Sequence, residues 1–548
     1  MAERKIILNG KKYLHFPIVN TKGKYAEDKA YSYIKISVDN EYSNTFYIKL
    51  GMPCDFYAPY YVGKNKDVCV LSCVDWSQDL LEDVVAGDEP EKEPRLYPSL
   101  YADEFRQQYH FTALRGWLND PNGLFYKDGV FHLYFQHNPL GIFHGGVNVS
   151  WGHAISSDLI CWKEKHDAIY PMRTQAFVAS GSSFVDKENK FGYGKDAIFS
   201  AHTELRATDF KGYGDCRTTG QYVCVSDDGG ETFREISNDP QIFVPAGEDW
   251  RDPKLFLTDE GRLCMAVYER ENARNCITFY SSEDIKNWKV ESRLMDLYEC
   301  PDIFPLEAET GERKWVLYAG DGKYRIGDFR NCIFTKNGGE GYLDYGMCYA
   351  GQTFANYPSK EKRYHIAWIN SDEWDKNGKF YTPKKCFSQS MSLACELSLH
   401  KKSDGMFYVS RRPCDNVYGL RKKIITEFSG TFEGKIVFPN ENCSEATLKI
   451  DSQSVVRIYI GEAYVIFDPV NRVMITPKGE VSVNFEKLNL DIFIDVTSIE
   501  IFVNETYSIT FSSYSFDCNI RVFSEKAKIE TQIYKLRSIH GEREKNNV

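Results

Sequence analysis

Three short segments place carboxyl groups where they could do chemistry. Asp120 lies in Trp117-Leu118-Asn119-Asp120-Pro121-Asn122-Gly123, where an aromatic and apolar entry leads into a run of polar side chains. Asp252 sits between Arg251 and Pro253, next to a permanent cation. Glu299 opens Glu299-Cys300-Pro301-Asp302. Carboxylates can act as nucleophiles, and protonated carboxyls as general acids. Each segment taken alone also has a local reading. Asp-Pro-Asn-Gly is a turn string. Arg251-Asp252-Pro253 fits a surface turn with an ion pair. Glu299-Cys300-Pro301 fits a strand end before proline.

The elements that must hold these residues read as short strands. Leu124 to Tyr126, the turn Lys127-Asp128-Gly129 and Val130 to Phe135 form a hairpin pattern. Lys254 to Leu257, Asp259-Glu260-Gly261 and Leu263 to Tyr268 repeat it. Tail segments such as Leu490 to Asp495 and Ser498 to Val503 alternate apolar and polar residues, as half-buried strands do. Residues 1–90 are also β-rich, and helical periodicity is scarce. An all-β sandwich, barrel or propeller is expected. The charged, proline-bearing stretch Asp88 to Pro94 and the break near Arg411-Arg412-Pro413 divide the chain into 1–100, 101–410 and 411–548.

The chain has 548 residues, 42% hydrophobic and 26% charged, an ordinary globular composition. Aromatic residues make up 15%, which favours strands. The net charge of −11 argues against a nucleic-acid partner, which needs a basic face. The apolar stretch near the start, Ile6 to Leu8, is too short for a signal-peptide core, and no window suits a membrane helix. A cytoplasmic protein is therefore expected, with no membrane partner. Sixteen cysteines are scattered without a Cys-x-x-Cys pair, so free and mostly buried thiols are expected rather than a zinc site.

Several ordered blocks together resemble glycoside hydrolase family 32, the invertases, inulinases and levanases. They are the Asp120 segment with Tyr109-His110-Phe111-Thr112 before it and Tyr134 to Pro139 after it. Trp151-Gly-His-Ala154 with Trp162, Ser180-Gly181-Ser182, Arg251-Asp252-Pro253 and Glu299-Cys300-Pro301-Asp302 follow in order. Asp344-Tyr345-Gly346, Tyr349-Ala350 and Gln352-Thr353-Phe354 come next, and Asp495, Ser498 and Glu500 match the family's tail. The resemblance covers about residues 105–525. It implies a five-bladed β-propeller followed by a C-terminal β-sandwich, with an additional β-rich N-terminal region in this chain.

Carried over motif by motif, the resemblance makes Asp120 the nucleophile, Glu299 the general acid/base and Asp252 the transition-state stabiliser. A retaining mechanism holds nucleophile and acid about 5–5.5 Å apart. Glu299 is then expected to keep a proton through a raised pKa. Asn119, Gln136, Arg251, Ser182 and Trp151 are the candidate substrate contacts, with blade packing as the other reading of Trp151. His153 is read as a structural hydrogen bonder. Asp302 is read either as orienting Glu299 or as capping a strand end. No metal or organic cofactor is implied.

The sequence departs from the family pattern at Gly146, Ala179, Phe387, Ala394 and Cys395, positions expected in or near the pocket rim. The reaction is then kept while the subsites are reshaped. The expected activity is exo-acting hydrolysis of terminal fructosyl bonds in sucrose, fructo-oligosaccharides or short fructans. A fructosyltransferase and a non-catalytic fructan-binding protein are the alternatives. Oligomeric state is not legible.

Overall fold

The computed structural model describes the chain except for residues 1, 21–30, 75–77, 91–100, 102, 145–147, 172–175, 207–218, 246–247, 272, 372–385, 513–516 and 541–548. Gly146 and the end of the expected linker lie outside the described residues.

Five antiparallel sheets follow one another along the chain and form the blades of a propeller. The innermost strands are Gly116–Lys127, Ala176–Asp186, Arg251–Leu257, Asp302–Glu307 and Cys348–Thr353. The first hairpin turns through Asp128 and Gly129, both at positive φ (50° and 86°), with Lys127 facing Val130. This is the primed two-residue turn that matches strand twist.

Each pair of neighbouring blades shares its own apolar cluster. Phe125, Trp151 and Val178 pack between blades one and two. Phe199, Leu255 and Met265 pack between two and three. Phe256, Phe279 and Trp315 serve three and four, and Leu306, Val316 and Leu399 serve four and five. The ring closes where Phe387–Ser388 pairs in parallel with Gly116 and Trp117. The Arg106 guanidinium lies 3.5 Å over the Phe387 ring at this seam. Phe387, Ala394 and Cys395 are 2%, 2% and 0% exposed. The expectation that these three reshape the rim is therefore corrected: they belong to closure and core packing.

The outer strand of blade five, Phe407–Pro413, runs through position 410 and gives way to a two-turn 3-10 helix at Asp415–Leu420. The C-terminal β-sandwich is threaded by two long paired strands, Arg421–Phe438 and Ile520–Leu536. Their register breaks between Phe432 and Gly434, and there the pair passes from one layer to the other. Leu448, Ile492 and Ile501 of one layer and Ile458, Val465 and Met474 of the other share one core.

The sandwich is fastened to the propeller by buried polar groups. Asp495 accepts the backbone N–H groups of Gln108, Tyr109 and His110 at 2.8, 3.0 and 3.2 Å. The His110 ring lies between Asp495 and Glu500, 2.9 Å from each, with all three side chains fully buried. The N-terminal region is two small sheets around one core, which also takes in Leu140 and Ile142 of blade one. Among the described residues no disulfide is formed, and most cysteines are buried.

Candidate active site

The acids meet because several innermost strands are irregular at corresponding points. Register shifts occur between Leu118 and Pro121, Val178 and Gly181, Arg251 and Lys254, and Tyr349 and Gln352. A bulge adds a residue and re-aims a side chain. Asp120-Pro121-Asn122-Gly123, a turn string by composition, is thus inside a bulged strand rather than a turn. Arg251-Asp252-Pro253 likewise lies within a strand, with Asp252 at φ +61°. Glu299 and Cys300 take positive φ (27° and 44°) in a bend that leads through Pro301 into the first strand of blade four, so the segment enters a strand after proline rather than ending one before it. Gly181 is obligatory at its bulge, since a Cβ there would stand 1.9 Å from the Ala201 carbonyl oxygen.

Asp120 accepts from Ser180 Oγ at 2.6 Å and from Asn119 Nδ2 at 3.2 Å. Asn119 in turn accepts from Trp117 Nε1 at 2.9 Å. Asp252 is 5% exposed, and its Oδ2 accepts the Cys300 backbone N–H at 3.0 Å. Its own N–H donates to Thr203 Oγ1 at 2.9 Å. The Cys300 thiol lies between the two aspartates, 3.5 Å from Asp120 Oδ2 and 3.4 Å from Asp252 Oδ2.

Glu299 is held from two sides. Arg251 donates to Oε2 through Nε, at 3.2 Å, and through Nη2, and Tyr349 donates its hydroxyl to Oε1. Arg251 also pairs with Asp249 and lies over the rings of Tyr268 and Tyr298, at 4.8 and 5.8 Å. Its 3.5 Å approach to Asp252 Oδ2 places one cation between two acids.

Burial raises the Asp252 carboxyl to about 7; Arg251 opposes the rise, and the charges of Glu299 and Asp120 add to it. Burial also raises Asp120, against the Ser180 hydrogen bond and with the help of Glu299. Glu299 has donors on both oxygens, from Arg251 and Tyr349.

The candidate substrate contacts separate into two groups. Asn119 and Arg251 stand beside the acids, where they orient Asp120 and Glu299. Ser182 and Trp151 do not reach the site. Ser182 is fully buried, donates to the Pro253 carbonyl at 2.8 Å and accepts the Leu255 N–H at 2.7 Å, tying blade two to blade three. Trp151 is fully buried between blades and donates to the Ala179 carbonyl at 3.0 Å. Gln136, 2% exposed, donates to the Val178 carbonyl at 3.0 Å across the same blade junction. The bulge before Gly181 is the reason Ser180, and not Ser182, faces Asp120.

Asp302 is fully buried and bonds Thr353 and the Lys254 ammonium, joining blades three, four and five. His153 is fully buried, with Nε2 3.1 Å from His132 Nδ1. Thr203, Tyr349 and the thiol of Cys300 are partners that the sequence reading missed. Tyr349 and Cys300 lay within recognised motifs, but Thr203 carries no sequence signal.

A five-bladed propeller whose innermost strands bring three carboxyls together, one of them clamped by an arginine and a tyrosine, is an arrangement that glycoside hydrolysis can use. The comparisons with known proteins agree. The model of the glycosyl hydrolases family 32 N-terminal domain matches residues 110–410, and that of the family 32 C-terminal domain matches residues 441–538. The chain belongs to glycoside hydrolase family 32. It is 30% identical over 449 residues to the levanbiose-producing levanase of Bacillus subtilis, covering 73% of this chain and 84% of that one. It is 33% identical over 318 residues to invertase 2 of Saccharomyces cerevisiae, covering 54% and 58%. The crystal structure of exo-inulinase from Aspergillus awamori superposes with a TM-score of 0.69 at 23% identity, covering 80% of this chain and 99% of that one.

Proposed function

We propose that this protein is a retaining, exo-acting β-fructofuranosidase that releases terminal fructose from sucrose, fructo-oligosaccharides or short fructans. The observation that carries the reading is the convergence of Asp120, Asp252 and Glu299, with Glu299 clamped by Arg251 and Tyr349. The names of its relatives, levanase, invertase and exo-inulinase, support the substrate class.

In this reading, Asp120 attacks the anomeric carbon of the fructosyl unit while Glu299 protonates the leaving oxygen. Asp252 hydrogen-bonds sugar hydroxyls as positive charge develops on the ring. Glu299 then takes a proton from water, which opens the fructosyl–Asp120 ester. The charge on Arg251 steadies Glu299 in its anionic phase, and Tyr349 fixes its direction.

The test is incubation with sucrose, fructo-oligosaccharides, inulin and levan, alongside a mixed panel of other glycosides, with chromatography of the products. Free fructose as the first product, initially in the anomeric form of the substrate, is the expected result. Absence of fructose from every fructoside overturns the reading. Growing oligomers at high sucrose would assign the same intermediate to transfer, and binding without turnover would assign a fructan-binding protein.

A further inference from the structure

The N-terminal module lies outside both matched family regions, which begin at residue 110. It does not sit at random on the propeller. Its edge strand Glu41–Ile48 is clipped to blade one through a reciprocal pair: the Tyr47 N–H donates to Asn148 Oδ1 and Asn148 Nδ2 donates to the Tyr47 carbonyl, both at 2.8 Å. The next residue, Val149, accepts the Val178 N–H at 3.2 Å. Val178 lies two positions before Ser180, the residue that holds Asp120. Glu204 pairs with Val178 in blade two, one position beyond the Thr203 that holds Asp252. Tyr42 of the module is within electrostatic reach of Glu204; burial first, and that charge in addition, push its hydroxyl up to about 12.

The hairpin presents one particular face here. Ile34, Ile36, Phe46 and Ile48 point into the module's core. Cross-strand register puts Tyr33 opposite Tyr47, Lys35 opposite Thr45 and Ser37 opposite Tyr42 on the other face. The Tyr33 and Tyr47 rings are 4.7 Å apart, Tyr31 lies 5.3 Å from Tyr47, and the Lys35 ammonium is 5.9 Å over Tyr42. Ring faces suit the C–H surfaces of a sugar, while phenol, hydroxyl and ammonium groups suit its oxygens.

We propose that this hairpin face forms one wall of the approach to Asp120, Asp252 and Glu299 and receives the sugar units of an oligofructoside beyond the bond being cleaved. The inference rests on the fructosidase reading above and extends it to chain length. Sucrose has only one unit beyond its scissile bond and gains little from such a wall; a longer oligomer gains a second foothold.

The experiment compares kcat/KM on sucrose and on a fructo-oligosaccharide of about five units for the full chain and for Tyr33→Ala, Tyr42→Ala and Tyr61→Ala. Tyr61 stacks on His166 at another seam of the module and is the control. The expected result is a fall of about fivefold or more in the oligosaccharide-to-sucrose ratio for Tyr33→Ala and Tyr42→Ala, with the ratio for Tyr61→Ala within about twofold of the parent. Thermal unfolding checks each fold; if Tyr33→Ala is not folded, Tyr33→Leu carries the same test. An active parent whose ratio is unmoved by the Tyr33 and Tyr42 variants overturns the wall alone. A folded parent that cleaves neither substrate overturns the fructosidase reading, and the wall with it.

Discussion

Ser180 donates its hydroxyl to Oδ2 of Asp120 over 2.6 Å, and this bond joins the innermost strand of one blade to that of the next. The carboxylate assigned to attack is thus held by its neighbouring blade, and its own strand supplies only the weaker Asn119 contact. The catalytic predictions turn on such inter-blade partners.

Asp120→Asn and Glu299→Gln keep shape and remove charge or proton. Each should lower kcat by at least about a hundredfold with unfolding temperature little changed, because one bond-forming and one proton-transferring group are lost. Initial rates of fructose release and calorimetry check this. Near-normal activity in both variants would exclude the site.

Tyr349→Phe removes the hydroxyl donor to Glu299 Oε1 while the ring, 6.3 Å from that of Trp368, stays. A hydrogen bond to a charged group is worth about 1.5–3 kcal/mol, which corresponds to roughly 10–100-fold in kcat if the bond is needed at the transition state. KM should move little, and the limb of the pH–rate profile set by the acid/base should shift. A fall in stability with an unchanged pH profile would assign Tyr349 a purely structural role.

Asp252 titrates at about 7 in the folded chain, raised by burial and then by its acidic neighbours. An unfolded aspartate titrates near about 3.9. Between these values the folded state binds more protons than the unfolded state, so stability from this group falls as pH rises from about 4 and levels off above about 7. Asp252→Asn removes that titration. Its unfolding temperature relative to the parent should therefore climb between pH 4 and pH 8, even though activity is lost. A pH-independent difference in calorimetry would refute the burial argument.

His110 runs the opposite way. Burial alone lowers its pKa, but Asp495 and Glu500 outweigh burial and lift it to about 9. The unfolded value is about 6.5, so its contribution is complete below that pH and is lost as pH rises through about 9. His110→Gln breaks a fully buried ionic contact between propeller and sandwich and should cost on the order of 3–5 kcal/mol. Denaturant titrations at pH 6 and pH 9.5 check both statements: the deficit should be larger at pH 6.

By itself the sequence determined residue type, order and local turn chemistry. Asp128-Gly129 makes its hairpin because those residues tolerate positive φ, and the ordered motifs name the three acids that the fold brings together. Tertiary structure decided direction and burial. Ser180 rather than Ser182 meets Asp120 because a bulge interrupts the alternation of side chains along the strand. Trp151, Phe387, Ala394 and Cys395 sit between packed blades, and burial belongs to the assembled blades rather than to any segment. Asp252 carries a raised carboxyl because the assembled blades bury it and bring the charges of Glu299 and Asp120, distant along the chain, beside it. Partners such as Thr203 and Tyr349 are joined to the acids only by the closing of the propeller, so their roles appear once the ring is formed.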